Sequence, residues 1–117
     1  MAALLEITPA RAIEQLQHDL SLSPTELAGA LNASPRTVKR WRESQTHPQH
    51  NTRVRLAALV TLDHHLRETF GSSEAVQAWL HASNRHLGGL TPADALRAGR
   101  VDRVEAALEA LDSGIFL

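Results

Sequence analysis

Apolar residues recur along this chain at helical spacing, and no stretch keeps the strict alternation of a half-buried strand. Ile13, Leu16 and Leu20 form one stripe that ends before Ser21. Leu27, Ala28 and Leu31 form a second, and Val38 and Trp41, three apart, form a third. A longer stripe through Val54, Ala57, Ala58, Leu62, Leu66 and Phe70 predicts a helix over 52–70. Leu59 and Val60 widen that stripe, so the helix should meet neighbours on more than one side. After Gly71-Ser72-Ser73, the residues Val76, Trp79 and Leu80 predict a helix over 74–81. Val104, Leu108 and Leu111 predict a last one over 101–113, closed by Gly114. The expected fold class is all-α.

The polar positions mark where these helices start and stop. Four of the five prolines follow Ser or Thr, at Thr8-Pro9, Ser23-Pro24, Ser34-Pro35 and Thr91-Pro92. A capping hydroxyl followed by proline in the first turn is a helix start. Glu26 and Asp94 each stand three residues after such a cap and complete two capping boxes. Asn51 is the expected cap of the long helix, with Pro48 in the polar loop 44–50 before it. Asn32 suits a left-handed turn between the second and third stripes. Gly88-Gly89, after Asn84 and Leu87, predicts a turn with unusual backbone angles. Gly71 divides the chain into expected domains 1–70 and 71–117.

Within 23–41 a short helix, a tight turn and a second short helix follow one another, the arrangement of a helix-turn-helix. Val38 and Trp41 point the second helix inward, which leaves Arg36 and Arg40, four apart, side by side on the outer face. Arg is the commonest bidentate reader of guanine, so these two are the candidate base readers. Ser34, Thr37 and Lys39 are the candidate phosphate contacts. The net charge of −1 looks wrong for a DNA binder until charge is located. Residues 34–55 hold six of the twelve basic side chains and Glu43 as their one acid, a local balance of +5. It is the local patch that drives counterion release on DNA.

Other chemistry is thin. The chain has no cysteine, so it has neither a disulfide framework nor thiolate ligands. Its seven histidines match no metal-ligand spacing, and no nucleophile–base set or phosphate-cradling loop is visible. No metal, cofactor or catalytic residue is expected. The start of the chain lacks the basic region of a signal peptide, and no apolar run approaches membrane-spanning length. A cytoplasmic protein follows. The sequence closes on Ile115, Phe116 and Leu117, three large apolar residues where polar ones are usual, which points to a docked tail or a partner contact.

Two groups of residues carry a resemblance to a known family. The first is Leu27-Ala28, Leu31, the run Ser34-Pro35-Arg36-Thr37-Val38, and Arg40-Trp41. The second is Trp79-Leu80, Asn84, Leu87-Gly88-Gly89, Thr91-Pro92, Leu96, Val104, Leu108 and Gly114-Ile115. In this order and spacing they resemble the Xre/MbcA/ParS-type antitoxins of type II toxin–antitoxin systems, over nearly the whole chain. The resemblance implies an Xre-like helix-turn-helix bundle followed by a small helical toxin-binding domain. It also implies a RES-domain toxin that consumes NAD as partner, steric blocking of that toxin, and repression of the chain's own operon through operator DNA. Trp79, Leu87, Gly88, Gly89, Ile115, Phe116 and Leu117 are the expected toxin contacts. A homo-oligomer, or a hetero-oligomer with the toxin, is the expected state. The chain departs from the family pattern where Glu43-Ser44-Gln45-Thr46 replaces a glycine after the recognition helix, and where Ala93 and Ala95 replace larger aliphatics. The rival reading is a stand-alone regulator whose C-terminal half dimerises.

Overall fold

The computed structural model describes residues 8–114, and every regular element among them is helical. The α-helices are α1 (Pro9–Leu20), α2 (Pro24–Ala30), α3 (Pro35–Arg42), α4 (His50–Phe70), α5 (Ser73–Leu80), α6 (Pro92–Arg97) and α7 (Val101–Asp112). A 3-10 turn, η1 (Arg85–Leu87), lies between α5 and α6. None of these helices is long and apolar enough to cross a membrane.

Most helix starts follow from side-chain caps. The Thr8, Ser23, Ser34, Ser72 and Thr91 hydroxyls each accept a backbone N–H three residues on. The Glu26 and Asp94 carboxylates return the bond to the backbone of Ser23 and Thr91, so both capping boxes are complete. Each such cap stabilises its helix by about 1 kcal/mol. Asn32 takes the left-handed conformation, at φ 56°, between α2 and α3.

The long helix departs from expectation at its start. It begins at His50, after Gln49, with no side-chain cap, and Asn51 lies inside it. Pro48 just before is buried, so packing rather than a capping hydroxyl fixes the entry. The expected inward stripe is also corrected. Val54 is 55% exposed, while Leu56, outside that stripe, is buried. Leu56, Leu59, Val60, Leu62, Asp63 and Leu66 fill one broad arc of the helix, about 160° wide at 3.6 residues per turn, which α1, α5 and α7 cover together.

One hydrophobic cluster runs from Ala12 and Ile13 of α1, through Leu27, Trp41 and Leu62, to Val104 and Leu108 of α7. It continues past the left-handed Gly71 that ends α4. The two halves of the chain also meet where α2 crosses α6. A β-carbon at Gly29 would stand 2.1 Å from the Arg97 carbonyl oxygen, so only glycine permits that approach. Ala93 and Ala95 are both buried in α6, where their small size suits a close-packed helix.

Candidate functional site

Two exposed faces collect the residues singled out in the sequence. The first is the outer side of α3. Val38 and Trp41 are buried beneath it, which turns Arg36, Lys39 and Arg40 to solvent. Ser34 caps the helix by accepting the Thr37 N–H at 3.1 Å, and its own hydroxyl donates to Thr37 Oγ1 at 2.9 Å. Both hydroxyls are thereby fixed at the helix N-terminus. Arg36 and Lys39 line a cleft of about 400 Å³ between Pro24, Pro35 and Gln17. Arg42 lines the same cleft and donates to Gln17 Oε1 at 3.0 Å, tying α3 back to α1. The motif pattern gave Arg42 no place in the site, although it lies in the basic run. After α3, where the resemblance leads one to expect a glycine, Ser44 adopts the left-handed conformation at φ 59°. Its N–H reaches the Trp41 carbonyl and that of Gln45 reaches Arg40, so the helix closes as a glycine would close it.

The second face is built from α5, η1 and the turn that follows. Trp79 is half-buried, its ring centroid 5.8 Å from that of Phe70 at the end of α4. Asn84 organises the turn from beneath, only 6% exposed. Its side-chain oxygen accepts the His86 N–H at 2.9 Å. Its carbonyl accepts the Leu87 and Gly89 N–H groups, and its own N–H donates to the Leu90 carbonyl. The Ser83 hydroxyl donates to the Gly89 carbonyl at 2.6 Å. Gly88 and Gly89 sit at φ 67° and 92°, backbone that side-chain-bearing residues rarely adopt. Trp79, Ser83, Arg85 and the two glycines surround an open cleft of about 630 Å³.

The comparisons with known proteins fall on this arrangement. The family described as antitoxin Xre/MbcA/ParS C-terminal toxin-binding domain matches residues 65–114. The mycobacterial cidal antitoxin MbcA of Mycobacterium tuberculosis is 34% identical over 114 residues, spanning 97% of this chain and 96% of its own. The chain belongs to the Xre/MbcA/ParS antitoxin family. A probable mycobacterial cidal antitoxin of the same species is 30% identical, with 97% of this chain and all of the relative covered. The fold agrees. A chain in the crystal structure of the M. tuberculosis MbcT–MbcA toxin–antitoxin complex superposes with a TM-score of 0.68 at 31% identity, covering 92% of this chain and 96% of that one.

Within the segment shared with the antitoxin family, the structure brings Trp79, Gly88 and Gly89 to one surface. Leu87 is buried at 6% exposure beneath that surface, whereas Leu90, absent from the motif pattern, stands 56% exposed beside it. Ile115, Phe116 and Leu117 lie outside the described residues. His65 of α4 sits between two carboxylates of α7, with Nδ1 2.7 Å from Glu105 and Nε2 2.6 Å from Asp112. Burial works to lower its pKa, but the bonds to Asp112 and Glu105 outweigh that and raise it. The result is an imidazolium clasp between α4 and α7. Among the described residues no group of three or more His, Asp or Glu is arranged to hold a metal ion.

Proposed function

We propose that this protein is the antitoxin of a type II pair, cytoplasmic, neutralising a RES-domain toxin that consumes NAD. Residues 71–117 cover the mouth of the toxin's active site, and 1–70 form a helix-turn-helix domain that represses the operon. The observation that carries this reading is the preorganised, exposed face at Trp79, Arg85 and Gly88-Gly89, inside the segment that matches the family's toxin-binding domain. Inhibition of this kind is steric and asks for no catalytic group. Leu87 holds the turn from below, and Trp79, Gly88 and Gly89 meet the toxin. The tail Ile115, Phe116 and Leu117 adds apolar contact.

On DNA, α3 enters the major groove as the recognition helix. Arg36 and Arg40 read base edges, while Ser34, Thr37 and Lys39 hold phosphates. Two antitoxins, paired directly or through the toxin, span half-sites about one helical turn apart. The test has two arms. Co-expression with the toxin encoded beside it should restore growth, and purified protein should shift its own promoter DNA in a gel. Arg36→Ala or Arg40→Ala should weaken that shift by roughly 1–3 kcal/mol. Lys39→Ala should instead lower the salt dependence for all sequences alike. Promoter binding without toxin neutralisation would make the protein a plain regulator. Unchanged promoter affinity in both arginine variants would remove α3 from the DNA.

A further inference from the structure

The face around η1 lies in one of the acid-free stretches of the chain. Thirteen acidic residues are spread over the 117, yet none falls between Ala75 and Ala93. That run contributes Arg85, His81 and His86. The acids at its edges are Glu74 and Asp94, and Asp94 is occupied. It accepts from the Thr91 N–H at 3.3 Å and from Arg97 at 3.1 Å. On α7, which packs against η1, the carboxylates of Glu105 and Asp112 are held by His65 and that of Asp102 by Arg100, while Glu109 is exposed to solvent. His81 donates its Nδ1 to the Gln77 carbonyl of its own helix at 3.0 Å. Arg85 is exposed, lines the cleft, and forms no ion pair with any described residue. The half-buried Trp79 lines the same cleft, and the exposed Leu90 closes the turn, its carbonyl accepting the Asn84 N–H and its own N–H donating to the Leu87 carbonyl.

We infer that this face is matched to a toxin surface that presents a carboxylate to Arg85 and an apolar side chain to Trp79 and Leu90. The inference rests on the antitoxin reading and adds the chemistry of the partner. A lone arginine beside a tryptophan and a leucine is the composition of a protein–protein anchor, not of a phosphate track. DNA contact calls for several cations in a row, as α3 supplies. The hydrogen bonds around Asn84 hold the backbone of the turn before any partner arrives, so little ordering is needed on binding.

The test is a calorimetric titration of full-length antitoxin into catalytically inactive toxin at low and high salt. Arg85→Glu should weaken binding at least tenfold at low salt and reverse the effect of salt, which then relieves the repulsion between two carboxylates, while Arg85→Lys retains most of the affinity. Leu90→Asp should weaken it at least tenfold as well. Both side chains are exposed, so the melting temperatures of the free variants should match the parent, which separates lost contact from lost fold. A toxin Asp or Glu changed to Lys at the matching position should recover affinity for Arg85→Glu. Parent-like affinity in both Arg85→Glu and Leu90→Asp overturns the inference and leaves the antitoxin reading standing. Weakened promoter binding with intact toxin binding assigns the face to DNA and overturns it too. If the parent protein itself ignores the toxin, both proposals fall.

Discussion

Replacing Asp63 by asparagine should make the protein more stable at neutral and alkaline pH. Asp63 is fully buried where α4 crosses α1. One oxygen accepts from Gln15 Nε2 at 3.3 Å, and the other has no partner among the described residues. Asp19 of α1 lies against it. Burial raises the pKa of Asp63, and the neighbouring Asp19 carboxylate raises it further, up to about 7. Burial pushes Asp19 the same way, but Asp63, His18 and Arg67 together hold it below the ordinary carboxylate value. The two carboxylates therefore share one proton, carried by Asp63. In the unfolded chain Asp63 titrates near 3.8. A pKa raised on folding gives stability that is complete below the unfolded value and is lost as pH climbs through the folded one. The gap of about three pKa units at 1.36 kcal/mol each bounds the loss at about 4 kcal/mol between pH 4 and pH 7. An asparagine amide can donate to Asp19 and accept from Gln15 at every pH. We expect Asp63→Asn to be within about 1 kcal/mol of the parent at pH 5 and about 2–3 kcal/mol more stable at pH 8. Urea unfolding of both proteins at half-unit steps from pH 5 to pH 8 measures the difference, and groups titrating alike in both cancel. A difference that stays flat across that range, or an asparagine variant that is less stable throughout, would refute the shared proton.

The remaining perturbations probe other joints of the fold. His65→Gln should cost about 1 kcal/mol at pH 6 and little well above the imidazole pKa, because the clasp with Glu105 and Asp112 is lost as the ring deprotonates. Thermal melts at both pH values read this, and equal loss at both would contradict it. Ser44→Gly should raise stability by about 1 kcal/mol, since a serine at φ 59° bears the strain that glycine avoids. A lower melting temperature would mean the serine hydroxyl matters more than its backbone. Gly29→Ala should destabilise by about 2 kcal/mol or more, because the new methyl would meet the Arg97 backbone oxygen. A fully stable alanine variant would show that α2 and α6 can separate.

How much was legible beforehand depends on whether the signal is local. Ser23 with Glu26, and Thr91 with Asp94, act within three residues, so reading caps located α2 and α6. Asn32 fixed the turn between α2 and α3 for the same reason. The phase of α4 was not legible. The buried face is rotated from the stripe that runs through Val54 and Ala58, and apolar residues on both sides of it blur the boundary, so spacing alone places Val54 inward and passes over Leu56. Nor was the start of α4, which packing of Pro48 sets without a capping side chain. Asp63 reads as surface until Gln15, 48 residues away, is folded against it. His65 reads as one of seven histidines until Glu105 and Asp112, 40 and 47 residues away, close on it. In the candidate site the glycines and Trp79 were legible as a motif. Leu87 and Leu90, three apart in one turn, have opposite fates that only the fold assigns.

The seam between α2 and α6 bears on how the two proposed activities are joined. Leu90 is followed at once by Thr91, the cap of α6, so the proposed toxin face runs directly into that helix. On its other side α6 rests on α2 at Gly29, and a β-carbon at Gly99 would stand 3.7 Å from the Gly29 carbonyl oxygen. From α2 a short turn through Asn32 leads to α3. Two faces linked through closely packed backbone have little freedom to turn against each other. On the proposed reading, a toxin that holds two antitoxins therefore also fixes the distance between their recognition helices. Operator spacing would then be set by the geometry of the neutralised complex, and a flexible linker inserted between Leu90 and Thr91 should weaken promoter binding by the complex more than by the antitoxin alone.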